Sequence, residues 1–350
     1  MSYKIPGFRH PKLPRNEIGY TTRDYEGSVS TLCAGCGHDS ISAAIIEACY
    51  ELSIQPHKIA KLSGIGCSSK TPTYFLGNSH GFNAVHGRMP SVATGANMAN
   101  RDLVYIGVSG DGDSASIGMG QFVHAVRRNI NMVYIVENNG VYGLTKGQDS
   151  ATTDVGSVSK KGEPNALEPI DLCSVALQLG ASFVAHSFSG DKEQLVQLIK
   201  AGIAHSGFAF FNIISPCVTF NNVPGSTKTY NYIREHMAST CMVDFVPSRD
   251  EITTQYSPGT TRQITMHDGS VIYLHKMDDK LDIHNRSSAL GLIREYKAID
   301  KVLTGLLFVD PESVDIHETM HTTQTPLRDL AASELCPGAA KLAEINQTLR

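Results

Sequence analysis

No apolar run in this 350-residue sequence approaches the roughly 20 residues that a membrane-spanning helix needs, so no membrane contact is expected. The opening Met1-Ser-Tyr-Lys-Ile-Pro6 also lacks the long apolar stretch of a secretory signal, which points to a cytoplasmic location. Excess positive charge is missing too. The chain has 30 Lys and Arg against 34 Asp and Glu, a formal net charge of -4, and that balance gives no electrostatic case for a nucleic-acid partner. No internal repeat or low-complexity tract is evident. Cysteine is not scarce, with eight in the chain. In a reducing compartment these are expected as thiols, so any grouping among them points to metal or redox chemistry before structural disulfides.

The length is enough to bury a full core in one large domain or two. Ile41, Ala44, Ile45, Ala48, Cys49 and Leu52 recur at helical spacing over residues 39–52, and residues 58–65 read as a strand ending in Gly64-Ile-Gly66. The alternation continues with a helix over 91–100, a strand over 102–109, a helix over 114–129 and a strand over 132–137. Helix, strand, helix and strand then follow over 169–179, 181–186, 191–205 and 208–214. Near-continuous apolar strands separated by helices predict an α/β fold: a mostly parallel open sheet with helices on both faces and ligands at the carboxyl ends of the strands. Residues 143–164 break the rhythm with Gly, Ser, Thr and Lys, and are long enough to be a functional loop. From Ser226 the pattern changes again. Gln263 to Leu274 reads as a hairpin around Asp268-Gly269, and residues 226–350 are expected to form a C-terminal extension that covers the 1–225 core or a partner subunit.

The strand at 102–109 runs into Gly110-Asp111-Gly112-Asp113, and the next strand ends in Asn138-Asn139. A glycine turn between strand and helix can bring backbone amides against a diphosphate, but a carboxylate in that turn repels the same diphosphate unless a divalent cation lies between them. Asp111 and the amide oxygen of Asn139 are hard donors suited to Mg2+. A competing reading takes Gly110-Asp-Gly112-Asp-Ser-Ala115 as the Gly-x-Gly-x-x-Gly/Ala turn of a nicotinamide-dinucleotide fold, a weak signal alone. Glu137 would then hold the ribose, but Asp111 would face a pyrophosphate unexplained and the Asn pair would have no role. On Asp111 and the Asn pair, the chain resembles the diphosphate-binding domain of thiamine-diphosphate enzymes.

Cys33-Ala-Gly-Cys36 precedes the first helix, Cys67 follows the Gly64-Ile-Gly66 turn and Cys217 closes Ser215-Pro-Cys217 after a late strand. These positions can converge at one edge of the sheet. Their spacing alone fits a redox dithiol, a zinc site or an iron–sulfur cluster. Beside a thiamine site, the electron-rich carbon left by decarboxylation of a 2-oxoacid calls for a one-electron acceptor, which a cluster provides and zinc does not. Cys49, Cys173, Cys241 and Cys336 read as packing or inert thiols.

Six pieces in order, Cys33-Ala-Gly-Cys-Gly-His38, Gly64-Ile-Gly-Cys-Ser-Ser-Lys70, His86-Gly-Arg88, Gly110-Asp-Gly-Asp113, Glu137-Asn-Asn-Gly-Val-Tyr-Gly-Leu-Thr145 and Ser215-Pro-Cys217, resemble the β subunit of 2-oxoacid:ferredoxin oxidoreductases over about residues 32–222. General likeness is greatest to the 2-oxoglutarate type. The resemblance implies one 4Fe–4S cluster on Cys33, Cys36, Cys67 and Cys217, and Mg2+ on Asp111, Asn139 and the carbonyl of Val141. It places Ile65, Gly66, Cys67, Ser68 and His86 along thiamine diphosphate, Gly112 and Asp113 at its diphosphate, Gly143 and Leu144 nearby, and Lys70 at the substrate carboxylate. His86 and Lys70 are the implied catalytic residues. Arg88 reads equally well as a surface cation, while His38, Lys146 and the loop after Gly143 read as ordinary polar groups.

Thiamine enzymes need a second domain whose glutamate contacts the aminopyrimidine ring, and this sequence shows one nucleotide-fold region. The site should then be completed by another polypeptide, and the resemblance implies an α subunit that supplies the pyrimidine half and much of the coenzyme A site. The expected reaction is oxidative decarboxylation of 2-oxoglutarate with coenzyme A to succinyl-coenzyme A, with ferredoxin as electron acceptor. Competing expectations are the same chemistry on pyruvate or branched-chain 2-oxoacids, a non-redox thiamine decarboxylase subunit with structural zinc, a cluster-holding electron carrier without thiamine, and a nicotinamide dehydrogenase.

Overall fold

Met132–Asn138 and Phe208–Ile214 are buried at every position, as expected of strands covered on both faces, and they pair in parallel near the middle of the sheet. The computed structural model describes residues 12–158, 163–240, 261–265, 271–275, 281–336 and 338–349. Its strands are β1 (Ile59–Ser63), β2 (His80–Asn83), β3 (Val104–Gly110), β4 (Met132–Asn138), β5 (Val141–Tyr142), β6 (Gln148–Asp149), β7 (Phe183–Phe188), β8 (Phe208–Ile214), β9 (Met237–Ser239), β10 (Thr261–Thr265), β11 (Val271–His275) and β12 (Val302–Val309). The main sheet has eight strands in the order β2-β1-β3-β4-β8-β7-β12-β9. From β2 to β7 every pairing is parallel, and β12 joins β7 antiparallel. The fold is the expected α/β arrangement around a mostly parallel open sheet.

Alternating side chains of the central strands feed two cores. Val133 and Ile135 of β4 and Phe211 of β8 pack with helices α1 (Gly37–Glu51) and, four helices later, Lys192–Ala204, through Ile41, Ala44, Ile45, Leu195 and Ile199. Tyr134, Phe208 and Phe210 face the other way, against α2 (Met89–Ala99), α3 (Met119–Arg128) and α4 (Leu172–Gln178), through Met89, Ala93, Phe122, Leu172 and Ala176. The Lys192–Ala204 helix is α5, followed by α6 (Tyr230–His236) and α7 (Arg286–Ala298).

Three elements depart from the sequence expectation. The helix expected over 114–129 is split into a π-helical stretch, Gly112–Ile117, and α3. The break falls at Gly118, where an added Cβ would stand 2.5 Å from the Asp113 carbonyl oxygen and 3.1 Å from the Gly87 Cα, so two backbones meet there at glycine-only distance. Strand β2 was not anticipated because its four residues are all exposed and carry no apolar pattern. Strand β12, from the segment after Ser226, enters the main sheet, and Leu303, Leu307 and Phe308 share a core with Phe208. In the same segment β10 and β11 form the expected antiparallel pair, with Ile264 opposite Ile272. Their Asp268-Gly269 turn, Cys241 and the Met1–Pro6 opening lie outside the described residues.

Leu307 is fully buried, and Leu307→Ala should cost about 2–5 kcal/mol in a denaturant titration; a cost near zero would place β12 outside the cooperative core. Burial also pushes imidazoles below their usual range, His38 to about 4 and His186, His205 and His317 in the same direction. The unfolded chain takes up these protons near pH 6.5 and the folded chain only at lower pH, so the unfolded state binds more protons in between and stability falls with acidification. The denaturation midpoint of the metal-free protein should therefore drop between about pH 7.5 and about pH 5. A flat midpoint would contradict the neutral burial of these rings.

Candidate functional site

Strand β1 leads outward to β2, whereas β3 leads the other way to β4. The sheet order thus reverses between β1 and β3, and such a crevice at the carboxyl ends is where open parallel sheets bind ligands. One cavity lies there. Ile65, Gly66, Cys67 and Ser68 line it from the loop after β1, His86 from the loop before α2, Gly110, Asp111, Gly112 and Asp113 from the end of β3, and Asn139, Val141, Tyr142, Gly143, Leu144 and Thr145 from beyond β4. Every residue expected at the cofactor or its cation is brought together here. Lys70 is not part of the lining; it is half-buried on the adjoining 3-10 helix Ser68–Thr73. Arg88 is exposed at the start of α2.

Asp111 is 1% exposed. Burial pushes its carboxyl up, and hydrogen bonds from Ser150, Thr152 and the Asn139 backbone pull it back. Thr152 Oγ1 lies 2.8 Å from Asp111 Oδ2 and 2.9 Å from Asn138 Oδ1, Ser150 Oγ donates to the same carboxylate oxygen, and Thr153 Oγ1 donates to the Gly140 carbonyl at 2.7 Å. The loop after Gly143, read from sequence as an ordinary solvated segment, therefore folds back over the site, and its hydroxyls were missed. A buried carboxylate with only neutral donors favours a cation beside it. The oxygens of Asp111, Asn139 and Val141 on one cavity fit Mg2+.

Asp113 behaves differently. Its carboxylate accepts from Ser109 Oγ at 2.6 Å, Gly87 N at 2.7 Å and Ile65 N at 3.2 Å, and His86 Nδ1 donates to it. The charge is turned into the protein, where it ties three loops together and engages one nitrogen of a half-exposed His86. What Asp113 and Gly112 offer an anion is backbone.

The four cysteines gather on the far side of Gly143. A Cβ added to Gly143 would stand 3.4 Å from Cys67 Sγ and 3.7 Å from Cys217 Sγ, so glycine leaves that cradle open. Cys67 also feels Cys33, and Cys36 feels Cys217. Burial pushes the Cys36 thiol up to about 12 and raises that of Cys67, with the Lys70 ammonium opposing the latter shift. Metal binding is what would discharge such protons. Among the described residues no three His, Cys, Asp or Glu side chains are grouped closely enough to hold a metal ion. As donors, the thiolates suit zinc or an iron–sulfur cluster alike. Cys49 and Cys173 are buried elsewhere and Cys336 is exposed. Glu137, the ribose partner in the nicotinamide reading, is fully buried and accepts from Thr71.

Residues 64–213 match the family described as thiamine pyrophosphate enzyme, C-terminal TPP binding domain. The 2-oxoacid:ferredoxin oxidoreductase subunit beta of Saccharolobus solfataricus is 41% identical over 199 residues, 57% of this chain and 65% of the relative. The 2-oxoglutarate synthase subunit KorB of Methanothermobacter thermautotrophicus is 40% identical over 209 residues, 58% of this chain and 72% of the relative. The chain belongs to the 2-oxoacid:ferredoxin oxidoreductase β-subunit family. It matches somewhat less than two thirds of the Saccharolobus relative and 51% of the Mycobacterium tuberculosis 2-oxoglutarate oxidoreductase subunit KorB, to which it is 41% identical over 191 residues, 54% of this chain. Among solved structures, a 2-oxoglutarate:ferredoxin oxidoreductase from Magnetococcus marinus, with 2-oxoglutarate, coenzyme A and succinyl-CoA bound, superposes with a TM-score of 0.69 at 31% identity, covering 89% of this chain and 90% of that one.

Thr152→Val keeps the shape of the side chain and removes the hydroxyl between Asp111 and Asn138. It should cost the metal-free protein about 1–3 kcal/mol in denaturant unfolding, and an unchanged midpoint would show that the hydroxyl carries none of the burial of Asp111.

Proposed function

We propose that this chain is the β subunit of a 2-oxoglutarate:ferredoxin oxidoreductase, which converts 2-oxoglutarate and coenzyme A to succinyl-coenzyme A and CO2 and delivers electrons to ferredoxin. The observation that carries this reading is the double position of Cys67, which lines the cavity with Asp111 and Asn139 and also flanks Gly143 together with Cys217. The cofactor cavity and the cysteine set share one wall. When bound, thiamine diphosphate with Mg2+ supplies the decarboxylation chemistry, and a 4Fe–4S cluster on Cys33, Cys36, Cys67 and Cys217 supplies the adjacent one-electron acceptor.

The residues of this chain bind and orient. Asp111, Asn139 and the Val141 carbonyl hold the cation that lets a diphosphate approach Gly112 and Asp113. His86, fixed through Nδ1 by Asp113, offers its other nitrogen for proton exchange at the cofactor. Lys70, beside Cys67, orients the anionic 2-oxoacid. Ile65 and Leu144 line the cavity although they are 38% and 51% exposed, an apolar rim suited to cover by an α subunit that excludes water and completes the site. Leu342 and Ile345, exposed on the helix Gly338–Thr348, fit a role of the C-terminal segment in the same contact. No helix among the described residues is long and apolar enough to cross a membrane.

The test is metal content and turnover of the chain purified without oxygen together with its co-purifying subunit. About four irons with matching sulfide per chain, and viologen reduction that depends on both 2-oxoglutarate and coenzyme A, are expected. Stoichiometric zinc would favour a non-redox thiamine enzyme, and turnover of pyruvate in preference to 2-oxoglutarate would move the substrate assignment.

A further inference from the structure

Three segments carry the four cysteines, and one buried carboxyl links all three. Cys67 caps the 3-10 helix Ser68–Thr73, on which Thr71 donates from Oγ1 to Glu137 Oε2 at 2.9 Å. Cys36 caps α1, and on the first turn of that helix His38 places Nδ1 3.4 Å from the same Glu137 oxygen and 2.5 Å from Ser215 Oγ. Ser215 stands two positions before Cys217, and its amide donates to the Asn138 carbonyl at 2.8 Å. Thr71, Glu137 and Ser215 are fully buried and His38 is 1% exposed.

Glu137 itself lies on β4, two positions before Asn139. The carboxyl thus meets, through one oxygen, the turn that holds Cys67, the helix that follows Cys33 and Cys36 and, by way of His38, the loop that holds Cys217. It does so from the strand that leads directly into the candidate Mg2+ ligand Asn139. A carboxyl placed here costs stability that an apolar side chain of similar volume would not, and it lines no part of the cavity. What the carboxyl adds is direction. Hydrogen bonds fix the angle between segments that apolar packing alone would let slide, and partners one step behind metal ligands set ligand geometry and affinity.

We propose that Glu137 is a positioning residue for the cysteine ligand set: through Thr71 and His38 it holds the three cysteine-bearing segments in register with one another and with the strand that leads into Asn139. Thr71, His38 and Ser215 are the arms of this tie. The inference rests on the cluster reading given above.

The test uses the αβ complex purified without oxygen, as wild type and as E137Q, E137A and T71V. The readouts are the rate of iron loss to a chelator and two properties of the reduced cluster that a general loss of stability would not shift, its electron paramagnetic resonance spectrum and its midpoint potential. E137A should lose iron roughly tenfold faster or more with an altered spectrum. E137Q, whose amide oxygen can still accept from Thr71 and keep its contact with His38, should stay within about twofold of wild type. T71V removes one hydroxyl and keeps the side-chain shape, so it carries the test if E137A does not assemble; an altered spectrum or potential at full iron content is expected. A wild-type complex without iron overturns the proposed function and this inference with it. A wild-type cluster whose spectrum, potential and iron retention are unchanged in T71V and in any assembled E137A overturns the inference alone.

Discussion

A carboxylate sunk to near-complete burial at the end of a parallel strand is the constraint around which the site is arranged. Asp111 cannot be left without compensation in that position. The chain answers with Ser150, Thr152 and the Asn139 amide, and the two hydroxyls come from a loop that would otherwise have no reason to return to the sheet. Once Ser150 to Thr153 are drawn in, Gly140 and Asn138 are held as well, and the backbone from Asn139 to Gly143 has little freedom left. The path of that backbone sets both the cavity wall and the opening beside Cys67 and Cys217. One electrostatic demand thus propagates from the Asp111 carboxylate to the surroundings of Cys67 and Cys217.

What the sequence made legible was whatever depends on continuous pattern or on rare chemistry. Phe208–Ile214 is apolar except at Asn212, and its observed bounds coincide with the expected ones. Gly110-Asp-Gly112 and Asn138-Asn139 stood out because a carboxylate in a phosphate turn makes physical sense only with a cation, and the structure brings Gly110, Asp111, Gly112 and Asn139 to one cavity. The break at Gly118 was hidden because it arises from contact with Gly87, more than thirty positions away along the chain. Serine and threonine in a loop have the same letters whether solvated or buried against Asp111, so Thr152 gave no signal. Glu137 was misleading for a related reason: at the end of a strand after a glycine turn it imitates a ribose ligand, and only its burial against Thr71 shows that it faces the other way.

Family membership and geometry bear on each other at Cys67. A C-x-x-C with two distant cysteines permits zinc, a dithiol or a cluster, and the choice among them hangs on what stands next to the sulfurs. The wall shared with a thiamine-type cavity supplies that context. The apolar, exposed positions of Ile65 and Leu144 add that the cavity is open on the side where a partner would lie.

The strands at the two margins of the main sheet are its shortest, β2 with 4 residues and β9 with 3. A margin of that length presents few unpaired amides and carbonyls, too few to template the strand-by-strand addition through which exposed sheets aggregate. The long, apolar strands that would be hazardous in that position are locked at the centre. For a chain whose site is proposed to be completed by another polypeptide, this ordering of the described strands is a form of colloidal protection, written into the topology rather than into surface charge.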